Sequence, residues 1–540
     1  METIINTSVS NLINADTTIL FNQYAVINSG LYSISAEDDT DNCTLYWVCS
    51  FITVKQVILN ENTQHFNYAL ALQTAHGEKT CIIPKDTITS RNLEQLTAYG
   101  FNFDYHYTNL ILKYLTLCEE SAECITEYSY VGFKGDSFYG YSKNDNSSKK
   151  YTGNIQLCES ESYDITLLNS LTENAPMLRF AITVSASSAL LGYLGQEIAL
   201  TTPIIHFYGD TSVGKTTALI AGISVWGKPV LESGMLSTWN QTENALTERL
   251  CNNFAVPIAL DESSICNFNL TKFIYNLSQG MNRQRLQKNM NQAPTKQWLT
   301  TILSSGESSL LEHCNENGGL RVRVFEFNDQ ISLSASHSNS VKSFCLFNYG
   351  YIGKKFVEQL EKATIESMIA VYNECKKSFM SKLNENAILP ITDRIADYYS
   401  IWIVTAKYLN EMGLCIEPDE ITEICLSHHA TLEKSYGIGK AVYNAICSRI
   451  VAKRNLYPEA SAFDMQSVEG IIFCKKVAIL ATAFERILTE EGFTSKLTCL
   501  RSLDKLGLIE KQRQDTYYSR RSFKGVQVKV LTINLKEILL

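Results

Sequence analysis

Apolar and polar positions change their rhythm several times along the chain. Between residues 20 and 165, the runs Tyr24–Ser35 (YAVINSGLYSIS) and Thr44–Leu59 (TLYWVCSFITVKQVIL) are rich in β-branched and aromatic residues, with turn formers between them. That composition predicts strands. Phe66–Thr74 and Lys79–Pro84 continue in the same style, and Asn144–Lys150 is a polar loop. Within this region Ile88–Phe101 predicts a helix, with Ser90 as its N-cap and leucines at helical spacing. The pattern turns helical from Tyr163 to Glu197. A short apolar run, Pro203–Gly209, then opens a region of alternating strands and helices that reaches Asp329. Such alternation predicts an α/β layer on a mostly parallel sheet. Val341 to Lys453 is helical again, and the last ~60 residues read as two helices followed by two short strands. No internal repeat is visible.

Composition bounds this picture. At 540 residues, with 45% hydrophobic and 19% charged positions, the chain is a multidomain globular protein. The first residues lack the basic and apolar regions of a signal peptide. Phe180–Gln196 is uncharged but short and rich in Ser, Ala and Gly, which favours a buried core helix over a membrane span. Sixteen cysteines show no C-x-x-C pair, as expected of free thiols in a reducing cytosol. The His428–His429 pair has no Cys or second His pair beside it and reads as structural or solvated. The net charge of −9 sits entirely in residues 1–160, which hold 9 Lys/Arg and 18 Asp/Glu; residues 491–540 are basic, with 10 against 5. A protein that simply coats nucleic acid is excluded, while the C-terminal tail is suited to a polyanion.

The strongest local chemistry is Gly209-Asp210-Thr211-Ser212-Val213-Gly214-Lys215-Thr216, followed by Thr217. It matches G-x-x-x-x-G-K-[ST] without a mismatch, between an apolar strand and a predicted helix. The glycines let backbone N–H groups face phosphates, Lys215 reaches the β- and γ-phosphates, and the Thr216 hydroxyl is a Mg²⁺ ligand. Some forty-five residues on, Pro257–Glu262 is an apolar strand that ends in two acids. Asp261 is the candidate to hold magnesium through water, and Glu262 to polarise the attacking water. ATP and Mg²⁺ are therefore the expected cofactors. Trp298–Glu307 reads as a buried strand with polar residues at its end. In ring ATPases such a strand lies between the other two, and Ser305, with Ser304 close behind, is the candidate for contact with the γ-phosphate or the attacking water. In Gly319–Phe327 the alternation of Arg321 and Arg323 with valines predicts one strand face carrying both. From there an arginine reaches a neighbouring subunit's nucleotide; a solvated strand edge is the alternative.

These elements together carry a family resemblance. Gly30-Leu31-Tyr32, Ser224–Pro229, Ser237–Thr242, Ala259–Glu262, Ile274–Gly280, Trp298–Glu307 and Gly319–Arg323 occur in an order that resembles the bacterial, phage and mobile-element family called domain of unknown function nine-two-seven. That family includes the self-loading helicases of staphylococcal cassette chromosomes, whose ATPase domains are similar to those of the minichromosome maintenance helicases. The resemblance covers roughly residues 25–440. It implies an α/β fold with an AAA+ P-loop core at 166–335 and a helical lid at 336–460; the residue pattern itself adds a β-rich N-terminal domain at 1–165 and, from a helix, strand, basic turn and strand near the end, a winged-helix-like domain at 461–540. The resemblance implies a cytoplasmic ATP-dependent DNA helicase or translocase, assembled as a homo-hexamer, with a primase or recombinase of the same element as a candidate partner. It makes Arg323 the candidate arginine finger in trans and Arg394 the candidate sensor arginine.

By the same resemblance, the acid-free stretch Gln279–Gln297, with Arg283, Arg285, Lys288 and Lys296, is a channel hairpin gripping DNA phosphates, Lys288 at its tip; a solvated polar loop is the alternative. Thr238–Thr242 is either a second channel insertion or packing beside the ATP site. In the C-terminal domain Leu497, Leu500, Leu503 and Leu506 form the expected core face, Arg501 and Lys505 point outward, and Arg520, Arg521 and Lys524 occupy the wing, facing DNA or a protein. An ATPase switch without unwinding, for example in antiviral defence, and a nucleotide-binding scaffold are the competing functions; intact Lys215, Asp261 and Glu262 disfavour the scaffold.

Overall fold

The computed structural model describes the chain apart from residues 1–3, 9–10, 13–17, 37–41, 142–147, 211–213, 267, 283–295, 314–318, 385–387, 460–467, 494, 512–515, 524–525 and 536–540. The division into compact units falls at Leu157/Cys158.

The first unit is built on strands. β1 (Ile4–Ser8), β2 (Thr18–Leu20), β3 (Tyr24–Ile27), β4 (Gly30–Ala36) and β5 (Asn42–Ser50) form an antiparallel sheet in the order β1-β5-β4-β3-β2. β6 (Ile52–Asn60), β7 (Phe66–Thr74) and β8 (Gly77–Pro84) join β9 (Glu123–Tyr128) and β12 (Lys149–Tyr151) in a second, mixed sheet. β10 (Gly132–Lys134) and β11 (Ser137–Tyr139) pair as a hairpin. The helix α1 (Thr108–Ser121) packs Ile111, Tyr114, Leu115 and Cys118 into the apolar core. The helix expected after Ser90 is instead a short 3₁₀ segment, Leu93–Tyr99, closed by Gly100 at φ 91°. Ser90 does not cap it; its hydroxyl bonds Asn109.

The second unit begins with α2 (Ile165–Thr172) and α3 (Pro176–Leu194). α3 is long and apolar enough to cross a membrane, yet 94% of that stretch is buried inside the protein. Its small residues allow close packing: a Cβ on Gly192 would overlap the Phe254 carbonyl, and the Ser185 hydroxyl donates to Gly222 O at 2.5 Å. Next comes a five-stranded sheet of β13 (Ile204–Tyr208), β14 (Leu236–Thr238), β15 (Ile258–Asp261), β16 (Ile302–Gly306) and β17 (Val324–Phe327). All its pairings are parallel, in the order β14-β15-β16-β13-β17. Its crossover helices are α4 (Lys215–Ser224), α5 (Glu243–Leu250) and α6 (Leu270–Ser278). β16 covers only the second half of the apolar run from Trp298, and β17 begins after Arg323. Arg321 and Arg323 therefore lie in a turn, not on a strand face.

Five helices follow: α7 (Ala335–Phe347), α8 (Tyr351–Leu360), α9 (Ile365–Ser381), α10 (Thr392–Glu411) and the 35-residue α11 (Pro418–Ala452). Arg179 on α3 holds Glu420 on α11 through a two-point ion pair. His428 and His429 are buried and structural. His428 bonds Tyr399 at 2.6 Å and lies against Phe327, with ring centroids 4.8 Å apart, and burial pushes its pKa down to about 3.

Val442, Ile446 and Ile450 of α11 share a core with the C-terminal elements. These are β18 (Gly470–Phe473), β19 (Lys476–Leu480), α12 (Ala481–Glu490), α13 (Lys496–Lys505), β20 (Tyr518–Phe523) and β21 (Val526–Asn534), with sheet order β18-β19-β21-β20. The β18–β19 hairpin lies between the helical region ending near Lys453 and the last ~60 residues, in a stretch for which no element was expected. Its turn residues, Cys474 and Lys475, adopt positive φ without being Gly or Asn, so no turn signature announced it. The core face of α13 is Cys499, Leu500 and Leu503; Leu497 and Leu506 are 42% and 53% exposed. A strict three-residue spacing drifts about 60° per step around a 3.6-residue helix, so the ends of such a row leave the face its middle occupies. Leu503→Ala should therefore lower stability by about 2–5 kcal/mol, as buried leucines do, whereas Leu497→Ala should change it by less than about 1 kcal/mol. Equal losses in chemical denaturation would contradict this orientation of α13.

Candidate functional site

In a parallel sheet the strands end along one edge, so the residues after β13, β15 and β16 converge there. Gly209 and Asp210 leave β13, and α4 starts at Lys215; Thr211, Ser212 and Val213 lie outside the described residues. Gly214 has φ 97°, and a Cβ on it would fall 2.5 Å from the Ser332 hydroxyl. Glycine is required there on both counts. The Lys215 ammonium donates to the carbonyls of Gly209 (2.7 Å) and Asp210 (2.9 Å). It is thus held across the mouth of its own loop.

Thr216 and Asp261 meet: the threonine hydroxyl lies 3.2 and 3.3 Å from the two carboxylate oxygens. Ser305 completes this cluster from β16. Its hydroxyl donates to Asp261 Oδ1 and accepts the backbone N–H of Glu262 at 3.0 Å. Glu262 adopts φ 62°, ψ 78°, a left-handed conformation that costs a β-carbon residue about 1 kcal/mol or more. The Ser305 bond holds it there, and Ser264 donates to its carboxylate.

Successive side chains on a strand face opposite ways, so Ser304 does different work from Ser305. It accepts the Trp239 indole N–H at 3.0 Å and meets His206 Nδ1 at 2.9 Å. His206 Nε2 lies 3.0 Å from the Ser308 carbonyl. A carbonyl only accepts, so Nε2 carries the proton and Nδ1 accepts from Ser304. Trp239 itself is fully buried against Phe268 and Phe273, and Thr242 caps α5 through the Ala245 N–H. Trp239 therefore packs this segment, Thr238–Thr242, against the sheet domain, and Thr242 starts α5.

The loop after β16 is held by Glu326 on β17, which accepts from Ser309 (2.7 Å) and from the Leu311 N–H (3.3 Å). Desolvation by the surrounding protein raises its pKa to about 7 against these bonds. The cleft at the strand ends measures about 300 Å³, and Lys215, Thr216, Glu262 and Glu307 line it. Ser338, Asn339 and Lys342 of α7 line it too. Sequence reasoning missed these because nothing local marks them.

Arg323 stands at the other end of the sheet. Its carbonyl accepts from Ile204 N at the start of β13, about 16 Å of strand away from the phosphate loop. Its Nη1 donates to Gly319 O at 2.6 Å, and the guanidinium covers the Tyr275 ring. Arg394 is exposed on α10. Neither lines the cleft. Arg283, Arg285 and Lys288 lie outside the described residues. In the C-terminal sheet Arg520 is exposed, while Arg521 is partly buried with its guanidinium over Phe473 at 4.3 Å.

A family model described as a domain of unknown function, DUF927, matches residues 24–297, half of the chain. The chain belongs to the DUF927 family. A second model, the Cch helix turn helix domain, matches residues 437–537, the stretch that begins on α11 and contains the C-terminal sheet. The DUF927 chain is also similar in fold to a solved structure titled "SCCmec type IV Cch - active helicase", at 21% identity and TM-score 0.65, over 96% of this chain and 98% of that one. The C-terminal region of NrS-1 aligns at 11% identity and TM-score 0.30, over 88% and 96%. No curated protein matches the chain.

Two predictions follow from the cluster. Ser305→Ala should leave nucleotide affinity within about threefold and cut turnover by about 10–100-fold, the range for losing one positioned polar group. Ser304→Ala should lower the melting temperature instead, because a buried indole N–H left without an acceptor costs about 1–3 kcal/mol. The reverse pattern would exchange their roles.

The raised Glu326 pKa also has a sign. The folded state binds this proton more tightly than the unfolded chain does, so stability falls as pH rises through the interval from the ordinary carboxylate range to about 7. Glu326→Gln should raise the melting temperature relative to wild type at pH 8 and lose that advantage at pH 5. A pH-independent difference would contradict this.

Proposed function

We propose that this DUF927 chain is an ATP-driven DNA helicase or translocase of a mobile element or phage, built on an AAA+ core (166–335) with a helical lid (336–460) and a winged-helix-like C-terminal domain (461–540), and working as a ring, most simply a hexamer. The observation that carries the reading is the convergence of Lys215, Thr216, Asp261, Glu262 and Ser305 at one sheet edge, with β16 between β13 and β15. The fold it shares with a protein titled an active helicase supports the choice of motor.

The residues present fit ATP and Mg²⁺. A hydroxyl beside a carboxylate, Thr216 with Asp261, is the pairing that holds magnesium directly and through water, with phosphate oxygens completing the shell. Bound Mg-ATP supplies the γ-phosphoryl group and partial neutralisation of its charge. Lys215 exchanges its two carbonyl partners for phosphate oxygens. Glu262, fixed by its backbone bond to Ser305, takes a proton from the attacking water. Asp261 is held in orientation between Thr216 and Ser305.

Arg323 and Arg394 both stand outside the cleft; we assign Arg323 to the nucleotide of an adjacent subunit and Arg394 to the role of a sensor arginine on the helical lid. Arg283, Arg285 and Lys288 are assigned to DNA phosphates in the channel, and Arg520 and Arg521 to DNA at the wing, Arg520 being the exposed one. Such contacts are salt-sensitive and blind to sequence.

Glu262→Gln should keep ATP affinity within about threefold and reduce turnover by at least about 100-fold, since the variant retains the phosphate contacts and loses the base. Normal turnover would remove Glu262 from the chemistry. Mixing inactive Arg323→Ala with inactive Lys215→Ala should restore hydrolysis, because mixed rings contain interfaces with both groups intact. An absence of rescue in rings shown to exchange subunits would contradict action in trans.

A further inference from the structure

The cleft has a wall that the phosphate-loop motif does not describe. Ser332 presses on Gly214, its backbone N lying 2.9 Å from where a Cβ would stand. Two residues later Ser334 caps α7 by accepting the His337 N–H. The Ser338 hydroxyl then bonds the Thr217 hydroxyl on α4. Ala335, Ser338, Asn339 and Lys342 stand at i, i+3, i+4 and i+7, one helix face, and all four line the nucleotide cleft. The other face is anchored: Val341, Phe344 and Cys345 are buried, and Phe344 packs edge-on to Tyr163. The register of α7 is thus fixed with Lys342 toward the cleft.

The charges make that placement informative. Two lysines line the cleft, Lys215 and Lys342, opposite Glu262 and Glu307. Among the described residues Lys342 makes no ion pair, although both glutamates border the same space. A triphosphate adds about four negative charges to a site already holding these carboxylates and Asp261, and Lys215 answers for the β- and γ-phosphates alone. A half-buried ammonium on a flexible stem, facing this space from a second element, is suited to bind phosphate oxygen as a point charge.

We propose that Lys342 binds the nucleotide's phosphate chain directly, so that α7 joins the phosphate loop when nucleotide enters. The inference rests on the cleft being an ATP site. It adds a ligand-binding residue from the helical segment beyond the sheet. Because α7 is also tied to α2 through His337 and the Leu171 carbonyl (2.7 Å), occupancy of the cleft reaches elements beyond the phosphate loop.

The test measures Mg-ATP affinity by calorimetry for the full-length wild type, Lys342→Ala, Lys342→Gln and Lys342→Arg, with Lys215→Ala as control. Lys342→Ala and Lys342→Gln should raise the Kd by about 10–100-fold, the worth of one charge-assisted bond. Lys342→Arg should stay within about threefold. The salt dependence of binding should flatten in the first two variants, and the melting temperature of the nucleotide-free protein should stay within about 2 °C of wild type, a small change for a chain of this size. Unchanged affinity in Lys342→Ala, with loss in Lys215→Ala, overturns the role of Lys342 and leaves the ATP site standing. A lowered nucleotide-free melting temperature, with affinity not restored by arginine, overturns it in favour of a structural role. Failure of the wild type to bind ATP instead removes the reading on which the inference rests.

Discussion

Parallel pairing of β16 between β13 and β15 is the constraint from which the cleft follows. It brings the phosphate loop, the acidic pair and Ser305 to a single edge, though Gly209 and Ser305 are 96 residues apart in the chain. The two-residue period of the strand then divides labour between neighbouring serines. Ser304 ties Trp239 and His206 together inside the sheet domain, and Ser305 holds Asp261 and the Glu262 backbone at the rim. Shifting β16 by one residue would exchange these environments, leaving the indole without its acceptor and Glu262 without the bond that offsets its left-handed backbone.

Small residues make the arrangement compact enough to hold. Ser185 bonds the Gly222 carbonyl, and Gly222 itself leaves room for Leu303. α3, an almost wholly buried helix, therefore supports α4 from behind. On the opposite side Gly214 admits Ser332 against the phosphate loop, which is how α7 comes to share the cleft. Gly214 and α4 consequently lie between a buried helix and the segment that leads into the first of the helices beyond the sheet.

Most of the residues that meet at the cleft were legible in the sequence, because a G-x-x-x-x-G-K-[ST] run and an apolar strand ending in two acids are local signals with fixed spacing. The sequence also showed the parallel sheet, through strand–helix alternation. What it hid depends on geometry without a local signature. The α13 core face was misjudged at Leu497 and Leu506 because leucines three apart look periodic while drifting off the helix face. The β18–β19 hairpin turns on Cys474 and Lys475, residues that give no turn signal. Arg321 and Arg323 kept an alternating burial pattern in a turn, which imitated a strand. Lys342 was invisible because the charged residues that share the cleft with it, Lys215, Glu262 and Glu307, come from other elements of the chain.

The central claim is that ATP turnover at this cleft moves DNA. Displacement of a labelled strand from a forked duplex by the full-length wild-type chain, with ATP and Mg²⁺ at low salt, tests it most directly. The account predicts displacement that requires ATP, fails with ADP and declines as salt screens the phosphate contacts. ATP hydrolysis without displacement, on forks of either polarity and indifferent to added DNA, would contradict the motor and leave an ATPase switch in its place.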